Sequence, residues 1–165
     1  MVRLKSRYIL FEIIYPPTST NITTTSYSLK TSLKLHHQTS TISGRELLQL
    51  IRTTLNETYG DFGSGLHASS MNVKYFSPRT STGILRTARD NFELIIGTLM
   101  MIRSVQGKNC IVNVIHVSGT IKMCQDFLIA KNKKLMKLMD GEEDDALMEM
   151  DTEVGKLQED EDEED

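Results

Sequence analysis

An α+β fold follows from three features of the first 139 residues: strongly apolar runs near both ends, two helix-start signatures leading into apolar residues at helical spacing, and a turn flanked by two β-favouring runs between them. Taken in order the elements read strand, helix, strand, strand, helix, strand, then an extra C-terminal helix. The β-α-β-β-α-β order is the ferredoxin-like (RRM-like) arrangement, an antiparallel sheet with two helices on one face. Residues 140–165 are read as a disordered acidic tail, because they lack the apolar surface to fold alone.

The first strand covers residues 3–15. Tyr8, Ile9, Leu10, Phe11, Ile13, Ile14 and Tyr15 occupy both alternating sides, so the strand is central with both faces covered over part of its length. Arg3, Lys5 and Arg7 share one side at its entrance, and Pro16-Pro17 ends it. From 16 to 42, 13 of 27 residues are Ser or Thr with neither period, which predicts a long mobile insertion.

Ser43-Gly44-Arg45-Glu46 has the form of a capping box, in which each side chain satisfies a free backbone donor at a helix start. Leu47, Leu48, Ile51, Leu55 and Tyr59 follow at helical spacing, Gly60 and Gly63 supply stops, and 61–69 is a loop. The hairpin comes next, with strands Met71 to Phe76 and Ile84 to Arg89. Alternation puts Met71, Val73 and Tyr75 on one side of its first strand and Asn72, Lys74 and Phe76 on the other. Pro78 pre-sets one turn torsion and Gly83 admits one that other residues avoid.

Asp90-Asn91-Phe92-Glu93 repeats the capping logic, and the second helix carries Phe92, Ile95, Ile96, Leu99 and Met100 to an end near Gly107. Cys110 to Val117 is β-branched and makes the fourth strand. Its His116 is read as a packed or rim residue. Ser118-Gly119-Thr120 caps a third helix over 121–139. Ile121, Cys124, Leu128, Leu135 and Leu138 lie along one side of it, while Lys122, Lys131, Lys133, Lys134 and Lys137 make a cationic outer face.

Charge is divided sharply along the chain. The formal net charge of -3 hides 15 of the 22 acidic residues from Asp140 onward, opposed there by Lys156 alone, so the tail carries -14. The body to Met139 holds 18 Lys and Arg against seven Asp and Glu, a net +11. Such a body suits nucleic acid, an anionic membrane or an acidic protein. No run approaches the ~20 apolar residues of a membrane span, so a membrane is not expected. Cys110 and Cys124 are read as reduced thiols.

No P-loop, dinucleotide fingerprint, zinc-protease or nucleophile-elbow motif is present, and no catalytic or metal-binding residues are assigned. An RRM stacks bases on aromatics of its third strand, where this chain has Gly83-Ile84-Leu85-Arg86-Thr87-Ala88-Arg89. Binding to the backbone of folded RNA is the better fit. The candidate RNA-binding residues are Arg3, Lys5, Arg7, Lys74, Arg79, Thr80, Thr82, Arg86, Arg89 and Lys122. Among them the hairpin loop, with Lys74, Arg86 and Arg89 close by, forms a cationic, hydroxyl-rich surface suited to phosphates.

Three segments carry a resemblance: the opening MVRLKSRYILFEI, the hairpin KYFSPRTSTGILR and the closing HVSGTIKMCQDFLI. Together, in this order over Met1 to about Ala130, they resemble the family of fifth Pop subunits of ribonuclease P and ribonuclease MRP in its fungal form. The resemblance leaves out the Ser/Thr-rich insertion and the acidic tail. It implies a ferredoxin-like fold, nuclear or nucleolar location, and a non-catalytic subunit that braces the catalytic RNA in tRNA 5′-leader removal and pre-rRNA processing. Implied partners are the ribonuclease P and MRP RNAs, other Pop and Rpp subunits, and precursor tRNA within the holoenzyme. The protein itself is expected to bind no cofactor, with magnesium on the partner RNA. An acidic-tailed scaffold or chaperone, and a small-molecule-binding regulatory domain, are the alternative readings of the residues.

Overall fold

Residues 5–16, 40–67 and 69–140 are described by a computed structural model. Arg3, residues 17–39 of the Ser/Thr-rich insertion and the acidic residues from 141 onward lie outside the described residues. The elements are β1 (Ser6–Ile14), α1 (Gly44–His67), β2 (Asn72–Ser77), β3 (Thr82–Ala88), α2 (Phe92–Met101), β4 (Ser104–Val105), β5 (Lys108–Asn109), β6 (Ile111–Ser118) and α3 (Ile121–Asp140). Four strands pair antiparallel in the order β2-β3-β1-β6, which with α1 and α2 is the expected ferredoxin-like topology.

Strand β1 is central, and its two apolar sides serve two different cores. Ile9, Phe11 and Ile13 join Leu47, Ile51 and Leu55 of α1, Leu85 of β3, and Ile95 and Leu99 of α2 in the larger core. The i, i+4 spacing of Leu47, Ile51 and Leu55 makes the stripe that α1 lays on the sheet. On the opposite face Leu10 packs with Ile84 and Cys124, and Tyr8, Ile121, Phe127 and Leu128 lie against them under α3. Each fully buried Leu, Ile or Phe is worth about 1.5–3 kcal/mol, so the larger core dominates stability and α3 is the more weakly held layer.

Helix α1 starts at the capping box: the Ser43 amide donates to Glu46 Oε2 at 2.9 Å and the Glu46 amide to Ser43 Oγ at 3.3 Å. The Ser43 amide, and then the Ser43 hydroxyl donating to the same oxygen at 2.9 Å, hold the Glu46 carboxyl below its usual range, the backbone bond being the larger cause. Contrary to the expected loop over 61–69, helical structure continues to His67 after one break at Gly60, whose φ of 62° and ψ of -154° are non-helical. Gly63 is no stop either. A Cβ there would stand 2.7 Å from Tyr59 Cβ, so its bareness lets the resumed turn close on α1.

The hairpin departs from simple alternation. The β2–β3 register shifts between Val73 and Tyr75, a bulge that places Val73 and Phe76 together against the larger core. Tyr75 instead stands 53% exposed, paired with Ile84. Gly83 has a different role from the one expected. Ser81 carries the positive φ of the turn, at 53°, while Gly83 lies inside β3 beneath Phe11. A Cβ on Gly83 would sit 2.5 Å from Phe11 Cζ and 3.0 Å from Phe76 Cδ2.

Asn91 adopts a left-handed conformation and makes no side-chain cap bond, so the second capping box does not form. Helix α2 ends at Met101 rather than near Gly107. Gln106 and Gly107 instead turn the β4–β5 hairpin, with φ of 50° and 76°, the mirror-image turn that matches strand twist. The insertion also ends sooner than expected: Ser40 and Ile42 are buried, and the Ser40 amide donates to the Pro78 carbonyl at 2.7 Å.

Thr120 caps α3, its Oγ1 accepting from the Met123 amide at 3.3 Å. His116 stacks on Phe127 with ring centroids 4.5 Å apart, which fits its expected packed role. The outer-face assignment of two lysines is corrected, because Lys131 reaches in to the buried Glu12 and Lys134 is 8% exposed. Cys110 and Cys124 are buried thiols, Cys124 Sγ donating to the Tyr8 carbonyl at 3.6 Å, and burial pushes the Cys110 thiol up. No helix among the described residues is long and apolar enough to cross a membrane.

Candidate nucleic-acid interface

Strand register decides which of the candidate cations meet. Tyr8 pairs with Arg86, Arg7 with Thr87, and the Arg89 amide donates to the Lys5 carbonyl at 3.1 Å. Lys5, Arg7, Arg86 and Arg89 therefore gather where β1 begins and β3 ends. Lys122 joins them, exposed in the first turn of α3, which follows directly from the Ser118 that pairs with Tyr8. A Cβ on Gly119, in that connection, would meet an Arg7 guanidinium nitrogen at 3.3 Å. Arg86 is aimed by its neighbour, Nε donating to Ser6 Oγ at 3.1 Å.

The hairpin loop lies at the other end of the sheet. Thr82 pairs with Glu12, seven positions from Arg89, or about 23 Å along the strand. The expected proximity of Arg86 and Arg89 to the loop is thus corrected: antiparallel pairing sends the two ends of β3 apart. Arg79 is exposed at the tip and Thr80 half-buried. Thr82 is 6% exposed and its hydroxyl donates to the Thr80 carbonyl at 3.2 Å, so Thr82 shapes the loop more than it offers a contact. The loop is anchored by the Ile13 amide, which donates to the Ser81 carbonyl at 2.8 Å. Lys74 is exposed at the bulge of edge strand β2, and Arg3 lies outside the described residues.

Two further cations, Arg103 and Lys108, are exposed on the β4–β5 hairpin. That hairpin leads into β6 where Ile111 pairs with Ile14, so both belong to the Arg79 end. Gln106-Gly107 was the sequence signal that would have found them. The surface is consequently two cationic ends separated by a sheet, suited to two runs of phosphate. Among the described residues no cluster of three or more His, Cys, Asp or Glu is placed to hold a metal ion.

Compared with known proteins, residues 7–129 match the Rpp14/Pop5 family. Ribonuclease P/MRP protein subunit POP5 of Saccharomyces cerevisiae is 44% identical over 142 residues, covering 84% of this chain and 82% of that one. Its counterpart of the same name in Schizosaccharomyces pombe is 42% identical over 144 residues, covering 81% of this chain and 89% of that one. A chain from the cryo-EM structure of yeast ribonuclease MRP aligns with a TM-score of 0.44 at 13% identity, over 84% of this chain and 98% of that one.

Proposed function

Since this chain belongs to the Rpp14/Pop5 family, we propose that it is a non-catalytic protein subunit of ribonuclease P and ribonuclease MRP. The observation that carries this is the 44% identity to a fungal subunit of both enzymes over more than four-fifths of each chain. Catalysis rests with the partner RNA, which also holds the magnesium; the protein supplies rigidity and charge.

The two cationic ends suit bracing. Lys5, Arg7, Arg86, Arg89 and Lys122 grip phosphates at one end, and Arg79, Arg103 and Lys108 grip others about 23 Å away. The sheet between them has its register fixed on both sides of β1, so it sets the distance between the two phosphate runs and holds the RNA in one arrangement. Other Pop and Rpp subunits complete the particle, precursor tRNA enters it as substrate, and its place is the nucleus and nucleolus. Purification of the tagged full chain from cells with sequencing of the bound RNA tests this: ribonuclease P and MRP RNAs should dominate. Recovery of neither, or of messenger RNA at large, would overturn it.

A further inference from the structure

A groove of about 220 Å³ opens between the β2–β3 hairpin and the second half of α3. Tyr75, Thr80, Leu128 and Leu135 line it, together with the Glu12–Lys131 pair. Tyr75 is more than half exposed there, an aromatic ring presented by an edge strand. Arg79, exposed, stands on the hairpin loop next to the lining residue Thr80.

Chain length and charge indicate what covers it. Helix α3 runs along the groove and ends at Asp140, five residues and about 8 Å of helix beyond Leu135. Residues 141–145 reach up to about 17 Å when extended, enough to return past that point. They are Gly-Glu-Glu-Asp-Asp, and the apolar residues Ala146, Leu147 and Met148 come directly after them. An apolar pair preceded by four carboxylates thus lies within reach of a groove whose apolar lining is Tyr75, Leu128 and Leu135, beside the loop that carries Arg79.

We propose that Leu147 and Met148 of this chain's own tail occupy the groove and lay the preceding carboxylates over the Arg79 loop. A tethered segment meets its target at an effective concentration of order millimolar, so a contact of about millimolar strength is half populated. RNA can use the Arg79 end only in the remaining fraction, which weakens indiscriminate binding by about twofold or more. A folded RNA engaging both ends in fixed geometry displaces the tail. This consequence rests on the function proposed above; the docking itself does not.

Three proteins test it: the full chain, the chain ending at Asp140, and the full chain with Leu147→Ser and Met148→Ser, which keeps every tail charge. Backbone ¹H–¹⁵N signals of Tyr75, Thr80 and Leu135 should move in the same direction in both altered proteins. Affinity for homopolymeric RNA at low salt should rise by about twofold or more in both. Unmoved signals in either protein overturn the docking. Shifts in the truncated chain alone assign the contact to charge and overturn it equally, as does protection of Tyr75 only when another subunit is added. Shifts in both proteins with unchanged RNA affinity uphold the docking and overturn the phosphate-binding role of the Arg79 end.

Discussion

Glu12 in the central strand and Lys131 in the last helix, 119 positions apart, pair at 3.3 Å across the sheet face that α1 and α2 leave open. The Glu12 side chain is 5% exposed and also accepts from Asn113 Nδ2 at 2.9 Å, so the carboxylate has hydrogen bonds from both its neighbouring strand and the helix. A small apolar cluster and the His116–Phe127 stack also fasten α3, and the pair lies further along the helix than Cys124 and Phe127. It fixes the helix's second half, and with it one wall of the groove.

Removing one partner leaves a charge in a poor solvent, whereas removing both charges leaves none unpaired. Lys131→Met should therefore cost about 3 kcal/mol in unfolding free energy, the low end of the range for breaking a buried pair because the lysine is 28% exposed. Glu12→Gln combined with Lys131→Met should recover most of that. Urea denaturation of the four proteins in the cycle measures the coupling; additive losses would mean that the pair contributes nothing.

Gly83→Ala should destabilise by about 1–3 kcal/mol, the cost of overpacking, because its Cβ would enter the space held by Phe11. Phe11→Leu withdraws the ring tip, so the double variant should lose less than the sum of the two single losses. Gly60→Ala differs in kind: its φ of 62° is strained for alanine, yet nothing lies within 4 Å of the added methyl. Asn should rescue neither position, because φ 62° with ψ -154° at Gly60 lies outside the left-handed helical region that Asn tolerates, in one essentially confined to glycine.

Local features were legible in the sequence to the extent that one segment contains the whole interaction. The Ser43–Glu46 box was, because both partners sit within one turn, and so was two-sided burial of β1, because apolar residues fill both alternating positions. The Lys74 bulge was not, since its cause lies in pairing with β3. Gly83 was assigned a torsional role because a glycine beside a turn looks the same whether it supplies a torsion or space. Asn91 followed the capping pattern without capping, its backbone having taken the left-handed turn that Asn also favours. The cations were found, but their division between two ends is set by antiparallel register, which no single segment displays.

Glu46 supplies a pH-dependent test of the start of α1. Its carboxyl is held below the usual value by Ser43, so its contribution to stability is present above the unfolded value of about 4.3 and is lost as pH falls through the lower folded value. Glu46→Gln retains an acceptor oxygen without the charge. Thermal unfolding should show the unaltered protein more stable than this variant at pH 7, with the gap closing as pH falls below the unfolded value of about 4.3. A gap that is constant across this range would assign the cap to neutral hydrogen bonding.

The two-ended surface makes a quantitative prediction for RNA binding by the full chain. Each phosphate neutralised contributes about 0.7 to the negative slope of log affinity against log salt on a single strand, and about 0.9 on duplex DNA. If four or five of the cations engage, the slope should be roughly -3 to -4. Arg79→Ala and Arg86→Ala should each reduce its magnitude by about one phosphate, and the double variant by the sum, since Arg86 lies four positions, about 13 Å, along β3 from the hairpin end, beyond the roughly 10 Å screening length at 0.1 M salt. The RNA's geometry adds a second signature. A rigid RNA bridging both ends should lose more affinity from either variant than a flexible homopolymer, which can settle wholly on the end that is left. Measuring both RNAs at several salt concentrations separates the two behaviours. Equal losses for both RNAs would show that one end alone binds, and a slope near zero would remove phosphate contact as the basis of recognition.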